Sequence, residues 1–257
     1  MNLTNKTILI TGGTSGIGLE ATRQFLKLGN KVIVTGRNKS KLNDFKKMFP
    51  QVIIFQSDVS KEEDAIQLFN DIKELGGIDI LYNNAGVGIN QLNLGSENKK
   101  HLEGAIYEMD VNYFGVIRLN NLFIEMLKSR SESAIINTTS ILSIVPSVSE
   151  ATYSASKTAL SFYTKTLRSH LQSINSSVKI FELLPPLVDT DMVKDRTDKK
   201  ISTQQLVESL IKGMEQNNYT IRVGASKIIY TLNRIMPNKA YNLINSEKEL
   251  IKLNNNH

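Results

Sequence analysis

Short apolar, β-rich runs recur along the chain and alternate with longer stretches in which apolar residues return every three or four positions. The runs are Lys6-Thr7-Ile8-Leu9-Ile10, then residues 31–35, 52–55, 78–82, 134–137 and 178–181, with 219–223 as a weaker seventh. Runs of this length and composition read as buried strands. Between them, Ala65, Leu68, Phe69 and Ile72 share one helical face, as do Ala159, Phe162, Tyr163 and Leu167. Strand–helix alternation builds βαβ units, whose crossovers are right-handed. The expected fold is therefore α/β: a doubly wound Rossmann fold, a parallel seven-stranded sheet with helices on both faces. In such a sheet ligands sit beyond the carboxyl ends of the strands, where the strand order reverses.

The residues after the first strand are Thr11-Gly12-Gly13-Thr14-Ser15-Gly16-Ile17-Gly18, followed at once by a helical pattern. Glycines allow a tight turn and the close approach of a pyrophosphate, and a helix start offers unpaired N–H groups and a partial positive charge. The spacing is Gly-x-x-x-Gly-x-Gly, and its place between strand and helix makes it a candidate dinucleotide loop. The second strand runs into Gly36-Arg37-Asn38. Many dinucleotide sites carry an acidic residue there for the ribose hydroxyls. A guanidinium instead grips a 2′-phosphate with charge-assisted hydrogen bonds. Arg37 thus points to NADP(H) rather than NAD(H).

Tyr153 and Lys157 stand four apart at the start of a helical segment and share a face. A tyrosine hydroxyl titrates near ~10 in water. A nearby ammonium and a positive nicotinamide ring favour the phenolate, which suits a general acid in reduction and a general base in oxidation. Ser140 ends the fifth strand region and offers a hydroxyl to a substrate oxygen; a serine read alone at such a place is more often a turn or cap residue.

Together these motifs resemble the short-chain dehydrogenase/reductase family, in the branch of chains near this length. Thr11 to Gly18 match its glycine loop, Asp58-Val59 its adenine-side pair, Asn83-Asn84-Ala85-Gly86 its fourth-strand motif and Val111-Asn112 to Gly115 its asparagine helix motif. Ser140, Tyr153 and Lys157 match its catalytic motif, and the likeness covers residues 5 to about 190. The resemblance implies further roles. Lys157 also holds the nicotinamide ribose, and Asn112 positions a water that joins Lys157 to solvent. Asp58 accepts from the adenine amino group with Val59 packed nearby, and Asn84, Ala85 and Gly86 line the cofactor with backbone. Val188 and Thr190 meet the carboxamide end. Gly12, Thr14, Ser15, Gly16, Ile17 and Gly18 complete the cofactor loop. Two departures stand out: Pro185-Pro186 where the family often has Pro-Gly, and Ser143 where it often has glycine. A second proline stiffens the backbone and removes an N–H.

The 257 residues carry no Pro/Gly/Ser-rich linker, so one NAD(P)-binding domain over 1–257 is expected, with a charged substrate lid within about 187–217. The absence of cysteine removes disulfides, thiolate nucleophiles and Cys-ligated zinc. His101 and His170 lack metal-ligand partners in the sequence, so no metal is expected. The net charge of +6 reads as a lysine-rich solvated surface, without zinc-finger spacing or interleaved Arg and aromatics, so no nucleic-acid partner is expected. No signal peptide or membrane span is apparent, and a cytoplasmic protein is the expectation. Residues 141–146 form an apolar wall that suits a hydrophobic carbonyl or alcohol. The apolar segment 228–244 is expected first to pack on the domain, then to cover a partner subunit or lie on a membrane surface. The Asn254–Asn256 tail reads as frayed. Family resemblance adds a homodimer or homotetramer built from helices around 105–128 and 152–172. The reading that emerges is hydride transfer between NADP(H) and a carbonyl or secondary alcohol; the alternative is a non-catalytic NADP(H)-binding regulatory protein on the same fold.

Overall fold

The computed structural model describes residues 1–89, 93–95, 97, 99–194 and 196–246, so the Asn254–Asn256 tail lies outside the described residues. Among the described residues one sheet contains β1 (Thr7–Thr11), β2 (Lys31–Gly36), β3 (Ile53–Gln56), β4 (Ile80–Asn83), β5 (Ser133–Thr138), β6 (Val178–Leu184) and β7 (Thr220–Arg222). All neighbours pair in parallel in the order β3-β2-β1-β4-β5-β6-β7, with Ile8 opposite both Val32 and Ile80. The order reverses between β1 and β4, and this is the doubly wound sheet that the alternation predicts.

The strands are apolar on both faces because helices cover both. Alternate strand residues point to opposite sides. Ile8, Ile10, Val32 and Val34 meet Phe25 of α1 (Gly16–Lys27), Phe45 of α2 (Lys39–Met48) and Leu210 of α7 (Thr203–Glu215). Leu9, Ile33, Leu81 and Ile135 meet Leu68 of α3 (Glu62–Glu74), Phe123 of α5 (Gly115–Lys128) and Leu171 of α6 (Ala151–Ser173). Each such buried side chain contributes about 1.5–3 kcal/mol.

Three local features depart from the sequence pattern or refine it. The helix leading into α5 begins as α4 (Lys99–Met109) and widens into a π-helical turn over Asp110–Phe114, which carries Asn112. The expected lid over 187–217 divides in two. Among the described residues, 187–194 and 196–201 hold only a 3-10 turn over Asp191–Val193, and Val188 bridges to Ile201. From Ser202 on, a capping box with Gln205 starts α7, and Leu206, Val207, Leu210 and Met214 are fully buried against the sheet. The charged pattern of 189–200 stops at Ile201 and a helical apolar period takes over, so α7 is core and not lid. Lastly, α8 (Ala225–Ile235) and α9 (Pro237–Ile244) pack on the domain: Ile229 and Ala240 cluster with Ile141, Leu142 and Val145. The wall expected over 141–146 is thus largely consumed by these C-terminal helices, with the Tyr153 ring packed at its margin. Among the described residues no helix is long and apolar enough to cross a membrane.

Candidate active site

The glycine loop closes over β4. Gly12 and Gly16 hold φ values of +64° and +51°, the left-handed region that favours glycine. A Cβ on Gly12 would stand 3.0 Å from the Ala85 Cα, and one on Gly18 would run into the Gly12 carbonyl. Both turns therefore need bare backbone. Thr11 Oγ1 accepts from the Asn84 and Ala85 N–H groups, each at 3.0 Å, and Asn84 Nδ2 donates to the Thr11 and Gly12 carbonyls. The start of α1 has no side-chain cap and no acidic residue in its first turn, so its terminal N–H groups and positive dipole end face the cleft.

That cleft has a volume of about 470 Å³ and runs from the glycine loop past the ends of β2, β4 and β5. At one end stand Arg37 and Lys41, neither with a carboxylate partner among the described residues; Arg37 lies 5.7 Å from the Tyr107 ring centroid. Beside them Thr35 Oγ1 and Ser57 Oγ are buried without a hydrogen-bond partner in the chain. Asp58 lines the same stretch with Val59, and its Oδ1 accepts from the Ser60 N–H at 3.0 Å and hydroxyl at 2.7 Å. A glycine cradle, an uncapped helix start, two orphaned buried hydroxyls and two unpaired cations fit an extended, phosphorylated nucleotide.

At the other end α6 brings Tyr153 and Lys157 to the cleft. A buried amide network fixes that helix: Asn83 Nδ2 donates to Asn120 and Asn137 Oδ1, and Asn137 Nδ2 donates to Thr164 Oγ1 of α6 at 2.9 Å. Lys157 Nζ donates to the Thr138 carbonyl at 3.0 Å and lies 5.7 Å from the Tyr153 ring centroid. Burial lowers the Lys157 pKa to about 8. The Tyr153 hydroxyl is pushed upward, first by desolvation and then by the charge of Glu150, while a hydrogen bond with Ser140 opposes the rise. The protein's own groups therefore hold the phenol protonated; the downward shift is expected from the ammonium together with a bound nicotinamide ring, and Lys157 Nζ is held close by through the Thr138 carbonyl. Ser140 Oγ accepts from the Leu142 N–H at 3.1 Å, which leaves its own proton to donate. Ser143 donates to the Ser140 carbonyl at 2.7 Å, so this departure from the family tightens the turn that carries Ser140.

Asn112 is buried behind this group. It exchanges two hydrogen bonds with the Val87 backbone and donates to Ser156 Oγ at 3.0 Å. A Cβ on Gly86 would lie 3.3 Å from both Asn112 Oδ1 and Lys157 Nζ. Gly86 is thus the gap across which those two residues face each other. Of the residues singled out in the sequence, Gly12, Thr14, Ser15, Gly16, Ile17, Arg37, Asp58, Val59, Asn84, Ala85, Gly86, Tyr153, Lys157 and Thr190 line the cleft. Gly18 supports the turn from beneath, and Asn112 and Ser140 sit just behind the surface. Val188 is buried in the core and does not line the cleft, while Thr190 extends toward Gly16, with Pro185, Asp191 and Met192 also lining that end. Sequence reasoning missed Lys41, Thr35 and Ser57. A lysine four residues after Arg37 on a helix start was the available signal for the first; the two hydroxyls carried none.

Comparison with known proteins agrees with this geometry. The family model described as short chain dehydrogenase matches residues 6–201. "Uncharacterized oxidoreductase DltE" of Bacillus subtilis (strain 168) is 33% identical over 229 residues, 86% of this chain and 89% of that protein. Among solved structures, a short chain dehydrogenase from Burkholderia cenocepacia J2315 in complex with NADP superposes with a TM-score of 0.84 at 28% identity, covering 95% of this chain and 99% of that one. A short chain dehydrogenase/reductase from Burkholderia phymatum in complex with NAD shares the fold, with a TM-score of 0.77 at 21% identity over 86% of this chain and 89% of that one. The chain belongs to the short-chain dehydrogenase/reductase family of oxidoreductases.

Proposed function

We propose that the protein is an NADP(H)-dependent oxidoreductase that interconverts a carbonyl and a secondary alcohol. The observation that carries this reading is the meeting of Tyr153, Ser140 and Lys157 at one end of a cleft whose other end holds two unpaired cations. The α1 start and the backbone from Asn84 to Gly86 would hold the pyrophosphate and nicotinamide-side ribose. Asp58 and Val59 would hold the adenine, and Arg37 with Lys41 a 2′-phosphate. When bound, the nicotinamide supplies or accepts the hydride.

The chain's own residues manage the proton. Ser140 donates a hydrogen bond to the substrate oxygen and holds it against the Tyr153 hydroxyl. In reduction Tyr153 gives its phenolic proton to that oxygen; in oxidation it takes the proton back. The ammonium of Lys157, held by the Thr138 carbonyl, stabilises the phenolate left behind, and Asn112 serves as the positioning residue for proton return from solvent. Thr190 meets the carboxamide end, a role we assign to it without Val188. The charged segment 189–200 acts as the lid; its Arg196 is tied to Glu150 at the head of α6 at 2.8 Å. A homodimer or homotetramer through α5 and α6 is supported by the open groove between Ile117, Ile124, Tyr163 and Leu167.

The test is a NADPH-oxidation screen of the purified chain across keto sugars, keto steroids, acyl ketones and quinones. Turnover of at least one class, faster with NADPH than with NADH, is expected. Tight NADPH binding without turnover of any class overturns the enzymatic reading.

A further inference from the structure

A second cavity, of about 690 Å³, opens on a different face of α6, and the chemistry above leaves it unused. On a helix of 3.6 residues per turn, Ser154, Thr158, Phe162 and Lys165 are rotated about 60–180° from Tyr153 and Lys157. These four line the second cavity. Its floor is formed by β6 and the edge strand β7. β6 and β7 pair Glu182 with Thr220 and Leu184 with Arg222, so Glu182, Leu184 and Arg222 share one face. The far wall is α8, with Tyr230 and Arg234.

The electrostatics of this space are unbalanced. The Arg222 guanidinium carbon stands 3.6 Å from the Tyr230 ring centroid, and Arg234 Nη1 donates to the Tyr230 hydroxyl at 2.7 Å. Lys165 lies 5.4 Å from the Phe162 ring centroid. None of the three cations has a carboxylate partner among the described residues. Arg222 Nε and Glu182 Oε2 are both buried without any hydrogen-bond partner in the chain. Buried polar atoms normally find partners: the Arg222 Nε donor lacks an acceptor, which an oxyanion would supply, whereas the Glu182 carboxylate, held at Oε1 by the Thr139 hydroxyl at 3.1 Å, offers only acceptors and gains nothing from an anion. Alongside the cations lies hydrocarbon: Leu184 on the floor, Ile144 on the near wall and Phe162, which is 66% exposed. Clustered cations that face apolar walls suit neither bulk water nor a purely apolar ligand.

We propose that this cavity is a second binding site, for a small amphiphilic anion whose carboxylate or phosphate-monoester head is held by Lys165, Arg222 and Arg234 and whose hydrocarbon body lies against Phe162 and Leu184. Arginine suits the head because its planar fork matches an oxyanion, and here the fork is held flat by the Tyr230 ring.

The full chain, saturated with NADP⁺ to fill the first cleft, is titrated calorimetrically with decanoate and with monodecyl phosphate below their aggregation concentrations. Inorganic phosphate and 1-decanol serve as head-only and body-only probes. Binding of decanoate or monodecyl phosphate, about tenfold or more tighter than either control, supports the proposal, and the tighter of the two names the head. The double variant Lys165→Gln/Arg234→Gln removes two exposed charges and is expected to weaken that binding by about tenfold or more. Arg222→Gln, checked for an unchanged thermal melt, is expected to do the same. No binding of either amphiphile, equal binding by 1-decanol, or equal binding by the double variant overturns the site. So does loss of binding when NADP⁺ is added, which assigns the ligand to the first cleft. A dimer that the double variant dissociates, with no ligand bound, assigns the surface to a second copy of the chain and overturns the site as well.

Discussion

Replacing Lys157 by methionine is expected to make the cofactor-free fold more stable while it removes activity. Lys157 is buried, and its pKa falls from the ordinary 10.5 to about 8 because the ammonium has lost water. At ~1.4 kcal/mol per pH unit, carrying that charge costs the native state about 3 kcal/mol at pH 7. Methionine removes the charge at similar length but leaves the Thr138 carbonyl without its donor, a loss of about 1 kcal/mol. The net gain is about 2 kcal/mol. The sign with pH follows from proton counting. Below about pH 8 both folded and unfolded chains carry the proton and the full cost is present. Between 8 and 10.5 the unfolded chain binds more protons than the native one, so wild-type stability rises with pH and the cost disappears. Urea unfolding of both proteins at pH 7 and pH 9.5 checks this: the advantage of the variant should shrink to below about 1 kcal/mol at the higher pH. A variant less stable than the wild type at pH 7, or an advantage that does not change with pH, refutes the reasoning.

Two other perturbations probe the cofactor end. Arg37→Ala and Lys41→Ala should each raise the NADPH KM about tenfold or more through loss of a charge-assisted contact, with the NADH KM unchanged; steady-state kinetics with both cofactors decide it, and an unaltered NADPH KM in both variants removes the 2′-phosphate grip. Gly18→Ala places a Cβ against the Gly12 carbonyl, which is backbone and cannot swing away. Overpacking of this kind costs about 1–3 kcal/mol, so thermal unfolding should shift downward, and an unchanged melting temperature would show that the turn has slack.

The sheet was legible because a parallel strand buried on both faces leaves a continuous apolar run, and such runs mark the strand ends to within three residues. The largest boundary difference is at β6, where the apolar run 178–181 stops three residues short of Leu184 because the polar but fully buried Glu182 interrupts it. The run 78–82 begins two residues before β4, although the Asp79 backbone is already tied to both neighbours: its N–H donates to the Thr7 carbonyl at 2.8 Å and its carbonyl accepts from the Ala134 N–H at 3.0 Å. The site was legible where chemistry demands a residue type at fixed spacing: glycines at a tight turn, a phenol one helical turn from an ammonium. It was not legible where position depends on distant partners. The π turn around Asn112 answers to Val87 and Ser156, which lie far from it in sequence. Val188 reads as a cofactor contact from its motif, but its bridge to Ile201 buries it in the core. The polar stretch after β6 looked like a lid continuous through residue 217, because composition alone does not reveal that Leu206 and Leu210 find a sheet beneath them.

The proposed chemistry depends most directly on the Tyr153 hydroxyl as the group that exchanges a proton with the substrate oxygen. Tyr153→Phe removes that oxygen and leaves the ring that packs against the Ile141 cluster. Single-turnover reduction of a ketone found in the screen, measured beside NADPH binding to the same variant, isolates its contribution. The predicted result is a fall in rate of about a hundredfold or more with the NADPH Kd unchanged; a variant that reduces the ketone at the wild-type rate contradicts the mechanism.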